Sequence, residues 1–208
     1  YKGTTMHKKL LVTAYFVIAA LLQTLAGNFP LSFFAFPLNV IVAVIWIYSL
    51  WRLYKEGNKL PLTSFLLSSR TSVLSILLLI GGSLVIGLFP QLSEAEADSI
   101  LGGLASLGCY NFMTSWIFIA ILFLLLSNLA MVIIHAFYHC VPAKKRFILN
   151  HLGLWLALFA GFFGSSDVQT LRIPLYGGQP GREAYSMDGK AYYLDYELEL
   201  YSFNTEYY

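Results

Sequence analysis

The sequence predicts an all-α polytopic membrane bundle of about five transmembrane helices, amino terminus inside and carboxyl terminus outside, followed by an incomplete extracytoplasmic β-rich domain. Composition, the spacing of apolar stretches and the segregation of charge carry this prediction. Of 208 residues, 58% are hydrophobic and 12% charged, too little polar surface to cover a soluble globule. A helix crosses a bilayer with about 20 apolar residues, and five stretches qualify: 10–27, 31–53, 72–90, 111–135 and 148–164. Short loops rich in Lys and Arg stay cytoplasmic. With the amino terminus inside, Lys2, Lys8, Lys9, Arg52, Lys55, Lys59, Arg70, Lys144, Lys145 and Arg146 fall inside, 10 of the 13 basic residues, leaving Arg172, Arg182 and Lys190 outside. Of the 11 acidic residues only Glu56 falls inside.

The first two stretches, joined by "GNFPLS", form a predicted hairpin domain over 1–60. Lys8 and Lys9 before an apolar run resemble a signal peptide, but a second long apolar run follows at once, which favours a hairpin. Met6-His7-Lys8-Lys9 has the pattern of a natural start. Aromatic residues near the span ends, among them Tyr15, Trp46, Trp51 and Tyr54, read as interface anchors. Nothing ionisable lies deep in either span, so the hairpin is expected to pack or dock.

Residues 61–164 form the predicted three-helix membrane core. Its leading link contains "SFLLSS", expected to lie along the interface as an amphipathic piece. The third span carries Gly81, Gly82 and Gly87 and ends at Pro90, a pattern that lets helices approach closely. The segment "SEAEADSILGGLASLG" is expected to be a short outer helix or to lie at the interface. In the fourth span, Asn128, His135 and His139 share one helical face. Ionisable groups within spans are rare and usually face a bundle interior, a cavity or a cofactor, while the plainer reading is imidazole sitting in the interface. His135 and His139 also have metal-ligand spacing, but only Cys140 accompanies them, which argues against zinc. The fifth span sets a stripe of Gly153, Ala157 and Gly161 on one side. On the other side lie His151, Leu154, Trp155, Leu158 and Phe162, the histidine and flat apolar groups that a planar aromatic ligand would need.

Residues 165–208 turn polar and β-patterned. Leu194, Tyr196, Leu198 and Leu200 alternate with Tyr193, Asp195, Glu197 and Glu199, the period of a strand with one wet face. Asp188-Gly189 signals a turn. Two or three strands without a covering layer do not make an independent domain, so the segment reads as the front of a longer one.

Several classes are excluded. Cys109 and Cys140 fall on opposite sides and neither belongs to a CxxC pair, so no dithiol relay forms within the chain. There is no basic stripe with interleaved aromatics, hence no sign of nucleic-acid binding. Nucleophile elbows, phosphate loops and paired carboxylates are lacking. Inverted repeats and coupling carboxylates, the marks of transporters, are lacking too.

The stretch "LGCYNFMTSWIFIAILFLLLSNLAMVI", the basic loop after it, and "FILNHLGLWLALFAGFFGSSDVQTLRIPLYGGQ" leading to a β-rich tail resemble ResB (CcsB-type) proteins of system II cytochrome c maturation, over roughly residues 70–208. The resemblance implies help in moving haem b across the bacterial cytoplasmic membrane, for attachment to the CxxCH motif of apocytochrome c with a CcsA-type haem-handling partner. It implies an axial haem-iron ligand at His151, with Trp155 beside it and His135 as a second or alternative ligand. His151 lies five residues after Arg146, roughly 7–8 Å along a helix, near Lys144, Lys145 and Arg146, which would meet haem propionates. The tryptophan-rich segment of the CcsA type is absent, so the chain is not expected to attach haem alone but to form part of a haem-lyase complex. The competing reading is a non-haem anchor or scaffold that holds an outer β-domain near a partner complex.

Overall fold

The computed structural model describes residues 2–57, 60–91, 108–139, 145–186 and 189–205. The chain divides into two compact units, Tyr1–Ser166 and Asp167–Tyr208.

The first unit is helical: α1 (Lys2–Ala26), α2 (Leu38–Glu56), α3 (Pro61–Leu66), α4 (Ser69–Leu88), α5 (Trp116–Tyr138) and α6 (Lys145–Phe163). Four of them, α2, α4, α5 and α6, are long and apolar enough to cross a membrane. The predicted crossing at 10–27 corresponds to the shorter apolar portion Leu10–Ala26 of α1. Together these helices describe a multi-pass membrane protein.

The helix ends follow local chemistry more than hydropathy. The expected span 31–53 starts seven residues late, at Leu38: Leu31–Phe34 makes a 3-10 turn and Pro37 stands immediately before α2, proline being suited to a helix start. The expected span 111–135 starts at Trp116, because Ser115 caps it by accepting a hydrogen bond from the Phe118 amide at 3.1 Å. That satisfies one of the donors a helix start leaves orphaned.

Helix α5 is the hub. Its apolar window is 67% buried inside the protein, against 11–17% for the other three long apolar helices. Leu126 and Met131 have no exposed surface, and α1, α2, α3, α4 and α6 all pack on this helix. A helix apolar on every side belongs in such a position, since its neighbours need only one packing face each. Gly82 of α4 makes one approach possible: a β-carbon there would lie 3.1 Å from the Phe118 ring.

The link piece "SFLLSS" overlaps α3, which buries Thr63, Phe65 and Leu66 on the bundle and leaves Leu62 exposed, and Thr71 donates to the Phe65 carbonyl at 2.6 Å. The two helices of the expected hairpin, α1 and α2, each pack on α5 and leave an apolar slot between them. The acidic segment expected as a short outer helix falls at 92–107, outside the described residues.

All described Lys and Arg residues of this unit sit at one end of the bundle, here the basic end: the start of α1, the end of α2, and the starts of α4 and α6. The opposite, neutral end is tied by side-chain amides. Gln23 accepts from the Trp116 amide at 3.0 Å and donates to Asn28 at 2.8 Å, while Asn39 donates to the Phe163 carbonyl at 2.7 Å.

The second unit is an antiparallel sheet of order β1-β2-β3, with β1 at Leu171–Arg172, β2 at Pro180–Ser186 and β3 at Ala191–Glu199. Pro174, which lacks the N–H a ladder needs, follows the short β1. Gly189, at φ +78°, turns β2 into β3 as its sequence signal predicts. Ala184 is fully buried, but Tyr196 and Leu198 on the apolar face of β3 are 58% and 38% exposed.

Candidate functional site

The basic end of the bundle gathers His135, His139 and His151, and each makes local contacts. His151 stands in the second turn of α6. Its Nδ1 lies 2.8 Å from the Phe147 carbonyl, and its ring lies 3.8 Å from that of Phe147. A carbonyl only accepts, so Nδ1 carries a proton, and in the neutral ring Nε2 keeps its lone pair. A backbone partner on one ring nitrogen is the usual way a ligating histidine is oriented.

On α6, His151 occupies the rim between two faces. The inner face packs Trp155, Phe159, Phe162 and Phe163 against α2 and α5. The outer face presents Leu154, half exposed, with Ala157 and both glycines of the small-residue stripe. At Gly153 and Gly161 an added β-carbon would meet nothing within 4 Å. This is flat, apolar and uncrowded ground beside an imidazole, with the exposed Lys145 and Arg146 less than two turns away.

Trp155 belongs elsewhere. Its ring stacks on Phe159 at 4.7 Å and on Trp46 of α2 at 6.2 Å, and its Nε1 donates to the Leu126 carbonyl at 3.1 Å. Trp155, expected beside a ligand at His151, belongs to the aromatic ladder Trp155-Phe159-Phe163 that α6 turns toward α2.

His135 and His139 come together at the end of α5, with rings 4.3 Å apart. The Tyr54 hydroxyl lies 3.1 Å from His135 Nδ1, and His139 Nδ1 lies 3.0 Å from the His135 carbonyl. Around them, Trp51 donates to the Tyr138 hydroxyl at 3.2 Å, and Lys55 Nζ sits 3.9 Å above the Trp51 ring. The His135 ring contacts those of Tyr54 and His139, and the His151 ring contacts that of Phe147. Among the described residues, no group of three or more His, Cys, Asp or Glu side chains gathers to hold a metal ion.

The residues that sequence reasoning missed are polar and neutral. Asn128 was expected to share a functional face with His135; it is 3% exposed and donates to the carbonyl of Leu66, tying α5 to α3. Gln23 and Asn39, 2% and 3% exposed, make the tertiary ties of a hairpin that had seemed featureless. The available signal was a lone amide inside an apolar run, in "LLQTL" and "PLNVI".

Comparison with known protein families, with characterised proteins and with solved structures gives no match.

Proposed function

We propose that this chain is a membrane subunit that helps carry or present haem b across the bacterial cytoplasmic membrane, for attachment to apocytochrome c by a complex with a CcsA-type partner. The observation that supports it is the state of His151: Nδ1 held by the Phe147 carbonyl at 2.8 Å, with the Nε2 lone pair left for an axial bond to iron. The basic end faces the cytoplasm under this reading, by the positive-inside rule, and the β-unit follows α6 on the outer side.

The residues present fit the group in donor chemistry and in surface. His151 would ligate the iron, Leu154, Ala157 and Gly161 would underlie the macrocycle, and Lys145 and Arg146 would face its propionates. When bound, haem supplies the vinyl groups that become thioether links to a CxxCH motif. The chain's own part is to hold and orient it. The hydrogen bond of His151 to Phe147 lies at an exposed surface of α6, and on this reading the partner supplies the second wall around the ligand, in keeping with a chain that is not catalytic alone.

The test is the visible spectrum of the protein co-expressed with its partner. Loss of Soret absorbance in His151→Ala and its retention in His135→Ala are expected. Unchanged absorbance in both would defeat these ligand assignments, and loss in His135→Ala alone would move the ligand to the Tyr54 cluster.

The exposed stripe of Gly153, Ala157 and Gly161 favours a second reading, a non-haem scaffold that docks a partner helix there. On that reading Ala157→Leu abolishes partner association in a pull-down while His151→Ala leaves it intact; the reverse pattern sinks it.

A further inference from the structure

We propose that the slot between α1 and α2 is a binding site for an anionic phospholipid, its headgroup at the basic end and one acyl chain in the adjoining chamber. The proposal does not depend on the haem reading. Tyr15 and Phe123 line both halves of the slot and divide it into two chambers. The chamber toward the basic end, about 510 Å³, is walled by Leu11, Val12, Leu50, Leu53, Phe65 and Leu66. The chamber toward the neutral end, about 490 Å³, is walled by Ile18, Leu22, Phe34, Val42 and Ile119.

The shape selects a hydrocarbon chain over a partner helix. Along α2 the lining of the basic chamber runs from Trp46 to Leu53, about 10 Å at 1.5 Å per residue, which lies within one leaflet of a 30 Å hydrocarbon core. A helix docking on α5 needs an uninterrupted groove and an axis about 8–10 Å from its neighbours. Tyr15 stands in the way, its hydroxyl donating to the Ala120 carbonyl at 2.8 Å. A flexible chain needs only one chamber.

Charge complementarity selects the headgroup. Lys8 and Lys9 lie in the turn of α1 just before Leu11, and Arg52 and Lys55 flank Leu53 on α2. Glu56 is the only acid on α1, α2 and α3, and it lies 3.6 Å from Arg52. The described charged side chains at this mouth, Arg52, Lys55 and Glu56, sum to a net positive charge, to which the sequence at the start of α1 adds Lys8 and Lys9. The neutral end offers no Lys or Arg among the described residues, so a phosphate is attracted to one mouth only, and desolvated hydrocarbon is left for the chamber behind it.

The experiment is native mass spectrometry of the full chain, delipidated and then exposed to equimolar phosphatidylglycerol and phosphatidylcholine with the same acyl chains. Phosphatidylglycerol should be retained in preference, roughly fivefold for each engaged cation. Lys8→Gln, Lys9→Gln and Arg52→Gln combined should bring the ratio to about one. Leu11→Trp with Leu62→Trp, both at exposed positions lining the basic chamber, should displace the lipid, while Ile18→Trp in the other chamber should not. Circular dichroism of each variant confirms that the helices are kept. Equal retention of the two lipids by the natural sequence would overturn the proposal, as would phosphatidylglycerol retention unchanged by Leu11→Trp with Leu62→Trp.

Discussion

Asn128→Ala should destabilise the helical unit by about 1.5 kcal/mol, a figure that follows from where its hydrogen bond goes. Asn128 is 3% exposed and its partner residue Leu66 is 4% exposed. Leu66 ends α3, so its carbonyl has no intrahelical donor and depends on the Asn128 amide. Orphaning a buried acceptor costs about 1–3 kcal/mol in a protein interior. Between membrane helices the measured coupling averages only about 0.6 and reaches about 1.7 kcal/mol, because the unfolded chain also finds partners. Since both groups lie inside the bundle, away from lipid, the upper part of that narrower range applies, close to a tenfold shift in the folding equilibrium. The assay is the free energy of unfolding in mixed micelles by denaturing-detergent titration, read by circular dichroism. Ser127→Ala, which removes the acceptor of Trp46 Nε1 at 3.2 Å at a half-exposed position, should cost less, about 0.5 kcal/mol. If Asn128→Ala were no more costly than Ser127→Ala, the argument that buried amides fasten α3 to α5 would fail.

Gly82→Val should cost about 1–3 kcal/mol by overpacking, since even a β-carbon reaches the Phe118 ring at 3.1 Å; Gly81→Ala, with nothing within 4 Å, should be neutral or stabilising in the same titration. Trp155→Phe keeps the stack on Trp46 and Phe159 but drops the bond to Leu126, so about 1 kcal/mol is expected, with the haem spectrum of the loaded complex unchanged. In the β-unit, the Glu183 carboxylate accepts a hydrogen bond from Tyr185 at 2.9 Å. That hydrogen bond, and then the carboxylate's charge, holds the phenol above its ordinary range, and Glu183 raises Tyr193 in the same two ways. The neutral phenols are favoured in the fold, so their contribution is full below the ordinary tyrosine pKa and fades as pH rises through the raised values. Glu183→Gln should lower the alkaline midpoint of tyrosinate absorbance; an unmoved midpoint contradicts the contact.

The long helices were legible because hydropathy over many residues integrates a strong signal, and charge segregation anticipated the basic end. Their termini were not, because one residue decides each: Pro37 delays α2, and the Ser115 hydroxyl fixes the start of α5. The burial of α3 escaped because "SFLLSS" is short, and its fate depends on Asn128 supplying a bond from 62 positions away. Around the candidate site, the pattern along α6 separated His151 from the small-residue stripe, but helical spacing alone could not tell which side of α6 meets α2. The aromatic ladder of Trp46, Trp155, Phe159 and Phe163 settles that. Polar contacts such as Tyr54 with His135 link residues 81 positions apart, a separation that no local pattern encodes.

The most direct test of the central claim is chemical rescue at His151. His151→Gly, co-expressed with its partner, should lack the Soret band of a histidine-ligated haem, and millimolar imidazole should restore it by occupying the vacated ligand position. A variant that keeps the natural spectrum without imidazole, or that imidazole leaves unaltered, would contradict the account.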